Sequence, residues 1–441
     1  MNHRYFPHTE EDKCIMLEKC GVDTIEALFA DIPEQLRLSR PYALGAQMSE
    51  VEVRSFFRRL ADNCQSLACF AGNGHYDRYT PAVVQSMIAR SEFLTSYTPY
   101  QPEISQGTLQ YIFEYQTMIA RLTGMEISNA SLYDGATATA EAMILASGNS
   151  RKRPRVAYSS TLNSAVVETL TTYARYHGID IVEIPEEDGV TSLEALNALL
   201  AEGTIGGVIL PQPNKYGIIE DFTGVAEAIH NAGAMFIINS VAIDLATLRS
   251  PGEWGADIAV GDAQSLGIPL NFGGPYLGYM AAKKSLMRKM PGRIVGATVD
   301  NQGQRTFVLT LQAREQHIRR EKATSNICSN QGLMALFVTI YMSLMGDKGL
   351  KEVNATGAAA AHHLARELEA IGKMKLTYPN HPFLNEFEMT TTIDTEAIID
   401  ALAKVGILAG VATAPNKLLI AVTEMRTEEE INRYVETVKA L

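Results

Sequence analysis

Four consecutive residues have the types expected at a helix start that binds phosphate: Asp134, Gly135, Ala136 and Thr137. They stand before an alanine-rich run of helical character, so the first backbone N–H groups of that helix could bind an anion. The same residues also suit a simpler arrangement, in which the aspartate caps the helix and no ligand is needed. The sequence leaves both interpretations open.

A second stretch, TSYTPYQPEISQG at residues 95–107, combines aromatic and polar side chains with two prolines. The prolines fix the backbone torsions and hold such a loop in shape without regular hydrogen bonds. The loop could carry its side chains into a binding site, or it could pack on the surface through its rings. Its candidate site residues are Tyr97, Thr98, Pro99, Tyr100, Gln101 and Glu103.

The elements that must position these residues follow from a regular alternation of patterns. Short apolar runs bounded by turn residues alternate with helical patterns, which predicts an α/β domain with a mostly parallel sheet. Ligand groups then belong at the carboxyl ends of the strands. The predicted strands are residues 155–160, 179–185, 206–213, 234–240, 257–262 and 275–283, and the helices between the earlier ones are 164–177, 192–202 and 221–232.

Composition shifts predict three parts of the chain. Residues 1–65 are predicted to form a helical N-terminal arm, with Ser49 as a helix cap and a further helical pattern over residues 23–33. Residues 66–330 are predicted to form the large α/β domain. Residues 331–441 are predicted to form a small C-terminal α+β domain, after a helix that breaks at residues 346–349.

Charge and composition exclude several classes of protein. The chain has 441 residues with 38 Lys+Arg against 50 Asp+Glu, a net charge of −12, so nucleic acid is not expected as the main partner. The longest apolar stretch, residues 333–345, is shorter than the about 20 residues of a membrane span. Five cysteines without a CxxC pair predict neither a metal site nor a disulfide framework, and they favour a cytoplasmic location.

Two long blocks carry a resemblance to a known family. Residues 96–142 and 291–336, the latter starting PGRIVGATVDNQGQRTF, closely resemble the P-protein family of the glycine cleavage system. The resemblance implies a fold-type I fold of pyridoxal-phosphate (PLP) enzymes. In that family the P-protein is one long chain with two homologous halves or two separate subunits. The length of this chain is similar to that of the separate first, or alpha, subunit.

The resemblance implies a chemistry in which PLP accepts glycine and loses CO2, after which the aminomethyl group passes to the lipoyl arm of the H-protein. Catalytic members need a Schiff-base lysine and an aspartate against the pyridine nitrogen. Here Gln264 and Ser265 stand at the lysine position and Asn239 at the aspartate position, and no ring to stack on the cofactor follows Ser160. The nearest lysines, Lys283 and Lys284, come after a further strand.

The resemblance therefore implies a subunit that does not hold PLP covalently and is inactive alone. A homologous beta subunit would bind PLP in a heterotetramer, and the 97–103 loop would complete that partner's glycine site. Residues 134–137 would be a vestigial phosphate loop. Two rivals remain open: a self-sufficient PLP-dependent decarboxylase or lyase homodimer, and a non-catalytic scaffold subunit with a vestigial fold.

Two further segments are ambiguous. Asn73, His75 and Tyr76 lie in a glycine-flanked polar turn, which is a common surface feature. The charged block at residues 314–328 is either an anion or interface contact, or a connection between helices. In the second case its charges would pair locally and Ser325 or Asn326 would cap the following helix.

Overall fold

The computed structural model describes residues 5–150, 152–323 and 325–441, in two compact units, Met1–Gln65 and Ser66–Leu441. Arg151 and Thr324, which belong to a short basic run and to the 314–328 block, lie outside the described residues.

The first unit contains two helices, α1 (Glu10–Cys20) and α2 (Glu50–Asp62), and none of their residues is buried. The predicted cap at Ser49 is confirmed, because its hydroxyl accepts from the Glu52 amide while the Glu52 carboxylate accepts from the Ser49 amide. The predicted helix over residues 23–33 is wrong, since only a short 3-10 turn forms there, Glu26–Phe29. Pro33 disfavours a helical residue before it, and so short a helix nucleates poorly.

The second unit contains all of the described strands and the remaining helices. Its helices are α3 (Ala82–Ile88), α4 (Ser91–Leu94), α5 (Gln106–Thr123), α6 (Gly135–Asn149), α7 (Ser164–His177), α8 (Leu193–Ala201), α9 (Val225–Asn231), α10 (Gln316–Arg319), α11 (Gly332–Ala370), α12 (Thr395–Lys404) and α13 (Glu428–Ala440). Its strands are β1 (Ala68–Cys69), β2 (Ile127–Ser128), β3 (Arg155–Ser159), β4 (Ile181–Ile184), β5 (Glu186–Glu187), β6 (Val190–Thr191), β7 (Ile205–Gln212), β8 (Met235–Ser240), β9 (Ile258–Asp262), β10 (Gly278–Ala282), β11 (Ile294–Val299), β12 (Arg305–Thr310), β13 (Met374–Leu376), β14 (Glu386–Thr391), β15 (Ile407–Leu408), β16 (Val411–Ala414) and β17 (Lys417–Ala421).

A seven-stranded sheet in the order β2-β10-β9-β8-β7-β3-β4 forms the centre of this unit. Strands β4, β3, β7, β8 and β9 are parallel, whereas β10 and β2 are antiparallel to their neighbours at one edge. The mostly parallel α/β sheet predicted from the sequence is therefore confirmed. Every residue of β7 is buried, as expected for a central strand covered on both faces.

Helices cover both faces of this sheet, because neighbouring residues of each strand point to opposite sides. Val156 packs with α6 and α7, and the next residue, Ala157, packs with α8 and α9. Helices α5 and α11 cover the part of the sheet formed by β9 and β10. The carboxyl ends of the parallel strands are thereby brought to one edge.

A second, four-stranded antiparallel sheet, β13-β14-β17-β16, packs with α12, α13 and the later part of α11. Helix α11 spans 39 residues and is interrupted at Gly346, where the backbone is not helical (φ 59°, ψ −177°), within the predicted break. By length and composition alone α11 could cross a membrane. Half of its most apolar window is buried inside the protein, however, as in an ordinary core helix, so this is weak evidence for a span.

The segment from residue 68 to residue 78, here called the strap, joins the two sheets. Strand β1 pairs with β15, and the Phe70 carbonyl accepts from the amide of Ala421 in β17. Further along, the Glu386 carboxylate accepts from the Asn73 amide at 2.5 Å and from the Tyr76 hydroxyl at 2.9 Å. Glu386 is buried, and burial raises the pKa of its carboxyl to about 7.

Replacing Glu386 should flatten the pH dependence of stability. The pKa of this carboxyl is about 7 in the folded chain against an ordinary 4.5, so the unfolded chain loses the proton first as pH rises. The free energy of unfolding should therefore fall between about pH 4.5 and pH 7, by about 3 kcal/mol from this group. Glu386→Gln should remove that part of the fall in denaturant titrations, whereas exposed Glu367→Gln should keep it. An unchanged slope in Glu386→Gln would contradict this account.

Candidate functional site

Helix α6 begins at the edge where the parallel strands end. Asp134 caps it, because Oδ1 accepts from the Thr137 amide at 2.8 Å and Oδ2 accepts from the Thr137 hydroxyl at 3.1 Å. The cap interpretation thus describes the contacts that residues 134–137 make. One first-turn N–H group is already bonded to a carboxylate.

A second carboxylate reaches the same helix end from the sheet. Asp262, the last residue of β9, accepts from the Gly135 amide through Oδ2 at 2.9 Å and from the Gln264 amide through Oδ1 at 2.8 Å. A Cβ atom on Gly135 would lie 2.6 Å from the Asp262 backbone nitrogen, so α6 approaches β9 too closely for a side chain there. The negative group at this helix N-terminus is therefore part of the chain itself.

Gln264 and Ser265, which follow β9 and are predicted from the sequence to replace the lysine, are buried and bonded to the backbone. Gln264 accepts from the Tyr76 amide at 2.9 Å and donates to the carbonyl oxygens of Tyr76 and Ile268 at 2.8 and 2.6 Å. The Ser265 hydroxyl accepts from the Ile243 amide at 3.1 Å. Gln264 thereby fixes the strap to the end of β9.

Asn239, near the end of β8 and predicted from the sequence to replace the aspartate, turns its side chain toward α6. Its amide donates to the Thr139 hydroxyl at 2.7 Å, and that hydroxyl donates to the Gly135 carbonyl. His75 of the strap lies near the same edge, where its ring stacks on Tyr276 with centroids 4.5 Å apart. At this edge Asn239 is thus bonded to α6, and His75 packs on Tyr276.

The lysines nearest in sequence lie at the opposite edge of the sheet. Because β10 runs antiparallel to β9, Lys283 and Lys284 follow β10 at the edge where β9 begins. Lys283 Nζ is 2.5 Å from Asp257 Oδ1, one residue before β9. Lys215 lies at the carboxyl edge instead, where its Nζ donates to the Ser160 carbonyl at 2.7 Å.

The 97–103 loop is brought against the segment that follows β12. The Tyr97 hydroxyl is 3.2 Å from the Ser329 hydroxyl, and the Tyr100 hydroxyl is 3.5 Å from Glu315 Oε2. Pro99 is buried and Thr98 is half-buried, whereas Gln101 and Glu103 are exposed. Tyr97 keeps 78% of its surface exposed. The structure therefore brings together the two blocks that carry the family resemblance.

The buried side chain of Arg293 contacts both the 97–103 loop and the segment that follows β12; these two segments are here called the junction. The side chain is buried, with only 4% exposed, and its Nη1 donates to Asn330 Oδ1 at 3.1 Å. Its Nη2 donates to the Tyr100 hydroxyl at 3.3 Å and lies 3.7 Å from Glu315 Oε2. The guanidinium also lies over the Tyr100 ring, 5.5 Å from its centroid. One buried cation thus fixes both the loop and the segment beside it.

The charged 314–328 block does not cap the long helix, so that part of the connecting-segment interpretation is wrong. Helix α11 begins only at Gly332, and the Ser325 hydroxyl instead donates to the buried Glu141 carboxylate at 2.9 Å. The expected local charge pairing is seen in part: His317 Nδ1 lies 3.5 Å from Glu315 Oε2, whereas Arg319, Arg320 and Lys322 form no ion pair within the described residues.

The family model for the glycine cleavage system P-protein matches residues 3–438. The chain belongs to this family. Proteins named "Probable glycine dehydrogenase (decarboxylating) subunit 1" from Bacillus cereus strain B4264 and Bacillus thuringiensis strain Al Hakam are 46% identical over 450 residues, with both chains fully covered.

Solved structures agree with this assignment. A crystal structure of glycine decarboxylase (P-protein) in inhibitor-bound form is 43% identical, with a TM-score of 0.90, and covers 99% of this chain and 100% of that one. A sphingosine-1-phosphate lyase from Burkholderia pseudomallei is similar in fold alone, at 13% identity and a TM-score of 0.67 over 93% of this chain and 94% of that one. The fold is that of fold-type I PLP-dependent enzymes, as the sequence predicted.

Two contacts of this site were not predicted from the sequence. The sequence places Asp262 at a strand end, where ligand groups are expected, but nothing in it pairs Asp262 with Gly135, 127 positions away. Arg293 lies inside the PGRIVG motif, but nothing in the sequence pairs it with Tyr100, 193 positions away. In the described part of the chain, no group of three His, Cys, Asp or Glu residues could hold a metal ion.

Removing the Arg293 side chain should release the 97–103 loop. Arg293→Ala leaves the Glu315 carboxylate without its buried cation, which costs on the order of 3 kcal/mol of unfolding free energy. Amide hydrogen exchange in residues 97–104 and 312–331 should become faster. Arg305→Ala, which removes an exposed arginine from the neighbouring hairpin, is the control. If exchange in both segments stayed as slow as in the control, Arg293 would not hold the junction.

Proposed function

We propose that this chain is the alpha subunit of a glycine decarboxylase, the P-protein of the glycine cleavage system, and that a homologous beta subunit holds PLP. The full-length similarity to proteins named subunit 1 supports a two-subunit enzyme. Together the subunits would decarboxylate glycine and transfer the aminomethyl group to the lipoyl arm of the H-protein, in the cytoplasm. A heterotetramer is the expected assembly.

The observation that supports PLP binding by the beta subunit, and not by this chain, is the pair of carboxylates at the start of α6. PLP chemistry in this fold needs a phosphate site and a lysine, and PLP supplies the electron sink for decarboxylation when it is bound. Here the Asp134 and Asp262 carboxylates are bonded to first-turn amides, so a phosphate would meet like charge. The side-chain amide of Gln264 is hydrogen-bonded to backbone groups, and an amide cannot form an imine as a lysine amine can. These residues do not fit the cofactor.

The contribution of this chain would be the 97–103 loop. In fold-type I dimers the active site lies at the subunit interface, and an exposed loop with fixed geometry suits that position. Arg293 fixes the loop through its hydrogen bond to the Tyr100 hydroxyl, while Tyr97 and the polar side chains of Gln101 and Glu103 remain exposed. We infer that Tyr97, Thr98, Pro99, Tyr100, Gln101 and Glu103 form part of the wall around the partner's glycine site.

Truncation of the exposed tyrosine tests this role. Tyr97→Ala should lower glycine turnover by about tenfold or more in the mixture with the beta subunit, because positioning contacts in the active site are lost. Assembly should be unaffected. Tyr176→Ala, which removes a tyrosine that is 79% exposed on α7, is the matched control.

Two outcomes would contradict the proposal. If Tyr97→Ala, and Tyr100→Phe as a second variant, turned over glycine as fast as the control, the loop would be structural and the scaffold interpretation would stand. If the chain alone had the full activity of the mixture, the homodimer interpretation would stand.

A further inference from the structure

A cavity of about 460 Å³ lies away from the strand-end site, between the later half of α6 and the segment after β12. Ile144, Leu145, Pro291 and Ala323 contribute its apolar wall. Its volume is in the range of small-molecule sites. The basic side chains that line it are His177, Arg288, Lys289, Arg314, Arg319 and Lys322, which are here called the basic cluster.

The basic cluster is unusual because the chain as a whole is acidic, with a net charge of −12. Arg288, Arg319 and Lys322 have no acidic partner among the residues that the structure describes. By contrast, Arg155 elsewhere on the surface forms ion pairs with Asp180 and Glu202. The positive charge around this cavity is thus left uncompensated by the chain.

Arg314 gives the cavity a fixed cation. Its guanidinium is half-buried and donates to the backbone carbonyl oxygens of Met290, Gly292 and Leu311, of which Gly292 lies at 2.8 Å. No carboxylate in the described residues forms an ion pair with it, and burial lowers the pKa of this guanidinium. A charge held in place by neutral oxygens remains available to an anion.

Among the described residues that line the cavity, Glu141 is the one acidic residue. It is buried and accepts a hydrogen bond from the Ser325 hydroxyl at 2.9 Å. Burial raises the pKa of this carboxyl to about 7, so near neutral pH a large share of it is uncharged. The acid therefore does little to neutralise the five lysine and arginine side chains.

We propose that this cavity binds a small anion with two or more carboxylate or phosphate groups. The lysine and arginine side chains come from separate segments of the chain, residues 288–289 and residues 314–322, so a ligand must present more than one charge to reach them. The concave shape and apolar wall favour a small molecule over a flat protein surface. The site is independent of the proposed role in glycine decarboxylation.

Binding can be measured by calorimetry on the full chain at low ionic strength, with citrate and pyrophosphate as probes and acetate as the monovalent comparison. Citrate, pyrophosphate or both should bind, and the stronger of the two identifies the preferred oxyanion. Arg319→Gln combined with Lys322→Gln should weaken binding about tenfold or more. The matched control, Lys284→Gln combined with Arg320→Gln, removes the same charge from exposed residues that do not line the cavity.

Three results would overturn the proposal. One is the failure of both citrate and pyrophosphate to bind at millimolar concentration. Another is equal weakening in the two double variants, since net charge alone would then explain the affinity. The third is binding of acetate as tight as that of citrate and pyrophosphate, which would mean that the cluster does not select for multiple charges.

Discussion

The Asp262 carboxylate against the first amide of α6 is the contact on which the remainder of the site depends. A helix N-terminus at the carboxyl edge of a parallel sheet attracts an anion, and in PLP enzymes of this fold the anion is the cofactor phosphate. In this chain the anion is a side chain of the neighbouring strand, 127 positions away in sequence. The Asp262 carboxylate thus takes the place of an external anion at the helix N-terminus, and its bond to Gly135 helps to fix α6 against β9.

The same strand end also organises the strap. Two residues beyond Asp262, Gln264 bonds to both backbone groups of Tyr76, and the Tyr76 hydroxyl bonds to Glu386 in the second sheet. Gln264 is therefore a structural link between the large sheet and the C-terminal part of the chain.

Much of the fold could be predicted from the sequence, because strands β3, β4, β7, β8 and β9 of the large sheet are short apolar runs, with helical patterns between the first four of them. The β11–β12 hairpin was missed, since its strands are largely exposed or half-buried and carry no clear alternation. For the site, the sequence predicted which residues lie at strand ends and which lie in one loop. Which atoms meet could not be predicted, because Asp262–Gly135 and Arg293–Tyr100 join residues more than a hundred positions apart.

The most direct test of the central claim is to locate the cofactor chemically. The chain would be mixed with its beta subunit and PLP, reduced with borohydride, and digested for mass spectrometry of both subunits. The account predicts a pyridoxyl-lysine in the beta subunit and none in this chain. A stoichiometric pyridoxyl group on a lysine of this chain, with Lys215 at the carboxyl edge the first to inspect, would contradict it.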